Sequence, residues 1–320
     1  MKTRFASPLA EDLAAFLKFK RGLGYLYSRS EYTLREFDRF LAAYCRRHRS
    51  WRVDRTILAW LASKPERKAV STAMEVSILR QFCRHLRRRR VHLRHCEPLW
   101  PRLPTSSTFT PNVLSRGDMR RLLRLTAALR YPHRRVLYRA LILLLYCTGI
   151  RFGEALRLRI RDVDTRAGVL FIAEFKGRAR WVPMHRSLLL ELKKYLTARR
   201  AFAPAGPDNR FFVGGNRRTL PVSTAHGALC SLFRRAGLKP ATGRVGPRPY
   251  DFRHSFAIER LTQWHRRGVD LHARLPWLSA YMGHTDILGT ETYLTSTPKL
   301  LALAGSRFRS RYRATDRRDA

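Results

Sequence analysis

From Leu9 to about Arg94, apolar residues recur three and four positions apart: Leu13, Phe16 and Leu17, then Leu34, Phe37, Phe40 and Leu41. That spacing puts them on one helical face and predicts amphipathic helices. Two more helices are expected near 56–63 and 72–88. The pattern stops at Glu97-Pro-Leu-Trp-Pro-Arg-Leu-Pro-Thr-Ser-Ser-Thr-Phe-Thr-Pro-Asn112, whose prolines and Ser/Thr cluster predict an extended linker. Periodicity resumes after Ser115, a helix N-cap with Asp118 three positions on. Helices are expected through about Leu129 and from His133 to Cys147. Thr148-Gly149 breaks the pattern, and a shorter helix restarts near Gly153. The stretches 168–173 and 179–184 then read as two strands of a hairpin around Lys176-Gly177. Helices follow near 187–200, 223–236, 251–267, 274–282 and 286–295. The expected organisation is an all-α N-terminal bundle over 1–100, a Pro-rich linker over 101–112, and a C-terminal domain over 113–320. That last domain is mainly α with a small antiparallel β-sheet, an α+β arrangement.

Composition adds a partner. The 320 residues carry 65 Lys and Arg against 23 Asp and Glu, a formal net charge of +42. The excess is spread along the chain, with 24 basic and 9 acidic residues in 1–105. Apolar residues still make up 45%, enough for real cores, so the charge does not signal disorder. A folded chain basic in both halves points to a long polyanion, nucleic acid above all. Of the 65, 55 are Arg, which suits bidentate phosphate contacts but follows equally from a codon preference. The run Arg87-Arg88-Arg89-Arg90 ends a predicted helix. It reads either as a solvated, dipole-favoured terminus or as a phosphate contact. The five cysteines show no CxxC pair or zinc-like spacing and suit reduced thiols in a cytoplasmic protein. The strongest apolar run, Ala140–Cys147, is too short to span a bilayer, which takes about 20 residues.

Four segments bear chemistry: Thr148-Gly-Ile-Arg151-Phe-Gly-Glu154, the hairpin with Lys176, Tyr250-Asp-Phe-Arg253-His254, and Gly283-His284 followed by Tyr293. A phosphodiester substitution adds negative charge at phosphorus. Preorganised guanidinium groups stabilise such charge, one of them commonly contributing ~10²–10³ in rate. A tyrosine, whose phenol has an ordinary pKa of about 10, is a credible nucleophile only in such surroundings.

In order, spacing and flanks these segments resemble the tyrosine recombinase, or phage integrase, family. The resemblance is specific over the C-terminal half and rests on helix count and basicity in the N-terminal half. It implies attack by Tyr293 on phosphorus, a 3′-phosphotyrosine link and a released 5′-hydroxyl. Arg151, Arg253 and His284 would contact the phosphate, and Glu154 would buttress Arg151. Lys176 would protonate the leaving oxygen. Counting back from Arg180 puts the family lysine on Phe175, and a turn one residue shorter restores Lys176. Arg178 competes, but an arginine does not readily release a proton. His254 reads as structural support before direct chemistry, because a helix turns it about 100° from Arg253, and the direct role stays open. The family usually has a histidine where this chain has Tyr250, which leaves proton removal from Tyr293 without an evident agent. Relative to compact members of the family the segment Arg266–Arg274 reads as an insertion, and Asp270–Pro276 resembles an insertion in a subgroup of mobile-element integrases.

The resemblance further implies duplex DNA gripped by both domains, four protomers on two duplexes, possible partner recombinases, and no metal or nucleotide cofactor. Lys299–Ala304 would dock on a neighbouring protomer or on its own domain. Two other readings stay open: a catalytically silent, DNA-binding relative, suggested by Tyr250, and a basic RNA-binding protein, suggested by charge alone.

Overall fold

The protein is described from a computed structural model, over residues 5–90, 96, 98, 100, 111–173, 179–215, 219–243, 245–284 and 286–295. Lys176, Arg178 and the 299–304 segment lie outside them. The chain divides into two compact units, Met1–Thr108 and Phe109–Ala320.

The first unit is helical: α1 (Ala10–Gly22), α2 (Ser28–Arg47), α3 (Val53–Ala62) and α4 (Ala69–Arg89). The predicted faces meet in one core, with Leu13, Phe16, Leu34, Phe37, Trp60 and Phe82 buried. The buried Asp12 carboxylate of α1 receives Arg90 at 2.8 Å and Arg89 at 3.6 Å. Half of the arginine run therefore ties the end of α4 to α1, while Arg87 and Arg88 are exposed.

The second unit opens with α5 (Arg116–Ala127), whose Ser115 and Asp118 form the reciprocal capping box that the sequence suggests. Helix α6 (Pro132–Thr148) carries the longest apolar run and packs against α5, α8 (Arg186–Arg200) and α10 (Asp251–Arg266). It is the buried core helix of the unit, with Leu141, Ile142 and Leu144 sealed. After α6 come α7 (Phe152–Arg157) and a three-stranded antiparallel sheet in the order β1 (Val163–Asp164), β2 (Val169–Ile172), β3 (Arg180–Pro183). The hairpin register pairs Leu170 with Val182 and Ile172 with Arg180. The two-residue β1 is too short to leave an alternation in sequence. Helix α9 (Val222–Arg235) covers α5, and α11 (Leu271–Met282) and α12 (Leu288–Thr295) pack on α10 around Phe256, Leu261, Leu278, Met282 and Tyr293.

Helix α11 begins three residues earlier than its expected start at 274. The Asp270 side chain accepts from the His272 amide, and Gly268, at φ +75°, makes the turn out of α10. The apparent insertion is thus the end of α10, a turn, a cap and the first turn of α11.

Candidate active site

Gly149 ends α6 in the left-handed region at φ +62°, where a side chain would also run into the Phe256 ring. The chain therefore turns sharply, and Arg151 becomes the N-cap of the short helix α7. Its amide donates to Glu154 Oε2 at 2.8 Å and its Nη1 to Glu154 Oε1 at 2.9 Å. Arg180 reaches the same carboxylate from β3, with Nη2 2.9 Å from Oε2. Burial pushes the Glu154 carboxyl up, but the two guanidinium groups, Arg180 first, more than offset this and hold it below the usual range. Glu154 thus sits between two arginines.

The end of α11 gathers three arginines. The consecutive carbonyls of Tyr281, Met282 and Gly283 accept from Arg180 Nε (2.9 Å), Arg253 Nη1 (2.9 Å) and Arg151 Nη2 (2.7 Å). These are the orphan acceptors of a helix C-terminus, and its negative dipole end favours cations there. Gly283, at φ +70°, is confined as well, since an added Cβ would lie 2.5 Å from Arg180 Nη1. One turn of backbone thereby fixes guanidiniums from α7, β3 and α10.

Arg253 is 1% exposed, and its Nη1 also donates to Gly149 O at 2.8 Å. Its Nε and Nη2 are buried with no hydrogen-bond partner among the described residues. Burial, and then the nearby Arg151 charge, lower its pKa. A cation held this way is poised for an anion.

Tyr293 is 4% exposed, between α10, α11 and α12. Burial pushes its phenol up to about 12 against the opposing pull of Arg253. Its hydroxyl lies 3.2 Å from His254 Nδ1, with the two rings edge to face. His284 stacks 6.5 Å from the Tyr293 ring, and its Nδ1 is 2.6 Å from Thr290 Oγ1. Burial and surrounding arginines bring both histidines down to about 4. Tyr250 is 42% exposed, its ring edge-on to His254 at 4.9 Å.

The structure therefore brings Arg151, Glu154, Arg253, His254, His284 and Tyr293 together, with Tyr250 at the rim. His254 touches the candidate nucleophile directly, closer than structural support implies. Two contributors escaped the sequence. Arg180 was one of 55 arginines, yet it shares a strand face with the buried Val182, and a charge at such an inward position is the signal. Thr290, fully buried, carries no motif.

Residues 115–299 match the phage integrase family. The proteins y4rB and y4rE of Sinorhizobium fredii, both named as integrase/recombinase, are 34% and 31% identical over 96% and 95% of this chain and 98% and 97% of their own length. The tyrosine recombinase XerA of Pyrococcus furiosus is 29% identical over 65% of this chain and 64% of its own. Among solved structures, the XerH site-specific recombinase bound to its difH substrate shares the fold with a TM-score of 0.65 at 16% identity, over 96% of this chain and 99% of that one. The Tn1549 transposon integrase with transposon right end DNA gives 0.64 at 14% identity, over 92% and 98%. With the family match covering more than half its length and the y4rB likeness nearly all of it, the chain belongs to the phage integrase family of tyrosine recombinases.

Proposed function

We propose that this protein is a site-specific DNA recombinase that cuts and rejoins duplex DNA through a 3′-phosphotyrosine intermediate, in the integration, excision or transposition of a mobile element. The observation that carries this reading is the buried Tyr293 hydroxyl packed beside His254 and within the field of Arg253, whose Nε and Nη2 have no partner among the described residues. A phosphodiester supplies what that arrangement lacks: an electrophile for the phenol oxygen and anionic oxygens for the guanidiniums.

In this scheme Arg151, Arg253 and His284 hold the non-bridging oxygens, and Glu154 with Arg180 fixes Arg151. Tyr293 attacks phosphorus, and Lys176 protonates the leaving 5′ oxygen. The phosphotyrosine bond conserves the energy of the broken diester, so rejoining needs neither metal nor nucleotide. Residues 1–100 act as a DNA-binding module, 101–112 as a linker and 113–320 as the catalytic domain, with Arg87 and Arg88 against phosphates. Four protomers act on two duplexes in the cytoplasm.

The test is a set of nicked suicide duplexes tiled across the DNA flanking the reading frame, read for covalent protein–DNA adduct. The native chain should form an adduct that Tyr293→Phe abolishes. Retained DNA binding with no adduct from the native chain would instead favour a silent accessory subunit, the reading that Tyr250 supports.

A further inference from the structure

The position three residues before Arg253, where the family usually has its histidine, holds Tyr250, and a phenol is a poor base near neutral pH. Tyr250 is also the N-cap of α10, and His254 lies four residues further on. Positions i and i+4 share a helix face. An imidazole is therefore present on the expected face, one turn along. The packing of α12 on α10 brings Tyr293 onto it, with Nδ1 3.2 Å from the hydroxyl.

We infer that His254 accepts the proton of Tyr293 during strand cleavage, an inference that rests on the strand-cleavage reading above. In the step, the Tyr293 Oη–H bond breaks and its proton goes to the Nδ1 lone pair. Oη bonds to phosphorus, and the P–O5′ bond breaks. The 5′ oxygen leaves with a proton from a separate acid, and His254, carrying its own proton on Nε2, ends as an imidazolium. Religation reverses each transfer. The groups facing His254 among the described residues include Tyr250 and Arg253 on its own helix, Arg248 just before it and Tyr293 from α12. Burial and the two arginines lower its pKa to about 4, so the imidazole is unprotonated across the neutral range and can take up a proton. The same surroundings hold the phenol at about 12, so transfer ahead of attack is steeply uphill. The proton therefore moves as the O–P bond forms, when the phenol becomes acidic.

His254→Asn keeps a polar atom near the Nδ1 position and removes the basicity, and His254→Gln serves if that variant does not fold. On the tiled suicide duplexes the variant should bind DNA as the native protein does and form adduct about 10²-fold more slowly. A duplex with sulfur in place of the bridging 5′ oxygen needs no leaving-group acid, and the defect should persist on it. Adding Tyr250→His should recover about tenfold or more by returning a base to the shared face. Adduct formation within about threefold of native would overturn the inference, because a general base contributes far more. So would a defect erased by the sulfur substrate, which would make His254 the acid. No adduct from the native chain on any duplex would overturn the strand-cleavage reading itself, and is distinguished by being independent of residue 254.

Discussion

The two halves of the site hold their cations by opposite means. On the side of α7 and β3, Arg151 and Arg180 share the Glu154 carboxylate, and every charge has a counter-charge within 2.9 Å. On the side of α10 and α12, Arg253 has no carboxylate in contact among the described residues. It donates to two carbonyls and lies within reach of the Tyr293 hydroxyl, with Nε and Nη2 showing no well-formed hydrogen bond among the described residues at 1% exposure. The first half is an ion network satisfied before any DNA arrives. The second keeps a buried guanidinium whose charge an incoming anion would help to satisfy. A buried, unpaired polar group costs several kcal/mol in general, so the α10/α12 half gives up stability for readiness.

The sharpest way to break this contrast is Arg253→Met. Removing the transition-state contact should slow adduct formation by ~10²–10³. Stability should barely move, within about 1 kcal/mol, because two lost hydrogen bonds are balanced by relief of a buried, half-satisfied charge. Arg151→Ala should slow the chemistry comparably while duplex binding, followed by titration at fixed salt, stays near native. A joint loss of binding and cleavage would make Arg151 a residue of folding or binding instead.

Glu154→Gln should act in the reverse sense, on stability first. It leaves two arginines facing each other, one of them with an 8% exposed side chain, and should cost about 3 kcal/mol in urea unfolding. The same carboxylate sets an acid limb. Its folded pKa lies below the unfolded value, so its contribution is full above about pH 4.3 and is lost as pH falls through the folded pKa. The Glu154→Gln protein should lack that part of the native acid transition.

The contrast also marks what could be read from the sequence. Helix faces were legible because each is written in local periodicity, as Leu34, Phe37 and Leu41 show in α2. That Arg151, Arg253, His284 and Tyr293 gather in one place was legible through motif order. What stayed hidden depends on contacts between elements distant in sequence. Arg180 reaches Glu154 across 26 residues, and His254 meets Tyr293 across 39. The 100° turn between Arg253 and His254 on α10 was real, but it presumed that the site lies on one side of that helix. Helix α12 closes over the neighbouring side, so consecutive residues both face Tyr293. The start of α11 was displaced for a similar reason. The cap at Asp270 reads as an ordinary acidic residue until the turn at Gly268 aligns it.

The α10/α12 half should also titrate where the other does not. His254 and His284 have folded pKa values of about 4, below an unfolded value of about 6.5. Above pH 6.5 their neutral forms cost nothing. As pH falls from 6.5 toward 4 the unfolded chain binds protons that the folded one refuses, so stability drops, by on the order of 2 kcal/mol per histidine after allowing for partial exposure. Comparing native and His254→Asn proteins by urea unfolding at pH 7 and pH 5 isolates the share of His254, and the variant should lose less on acidification.

The smallest expected effect concerns the hydrogen bond between His284 and Thr290 in the second half. His284 Nδ1 and Thr290 Oγ1 are 2.6 Å apart, and Thr290 is fully buried. Thr290→Val keeps the shape and removes the hydroxyl, leaving the imidazole free to rotate about its χ angles. A single such bond contributes about 1 kcal/mol, so stability should fall by that amount and adduct formation by about tenfold or less. If His284 donates to the phosphate through Nε2, the Thr290 contact is what holds that nitrogen in place. The loss should then appear in the cleavage rate and not in duplex affinity. An equal loss in both would place His284 among the DNA-binding groups and leave the chemical step in that half to Tyr293, Arg253 and His254.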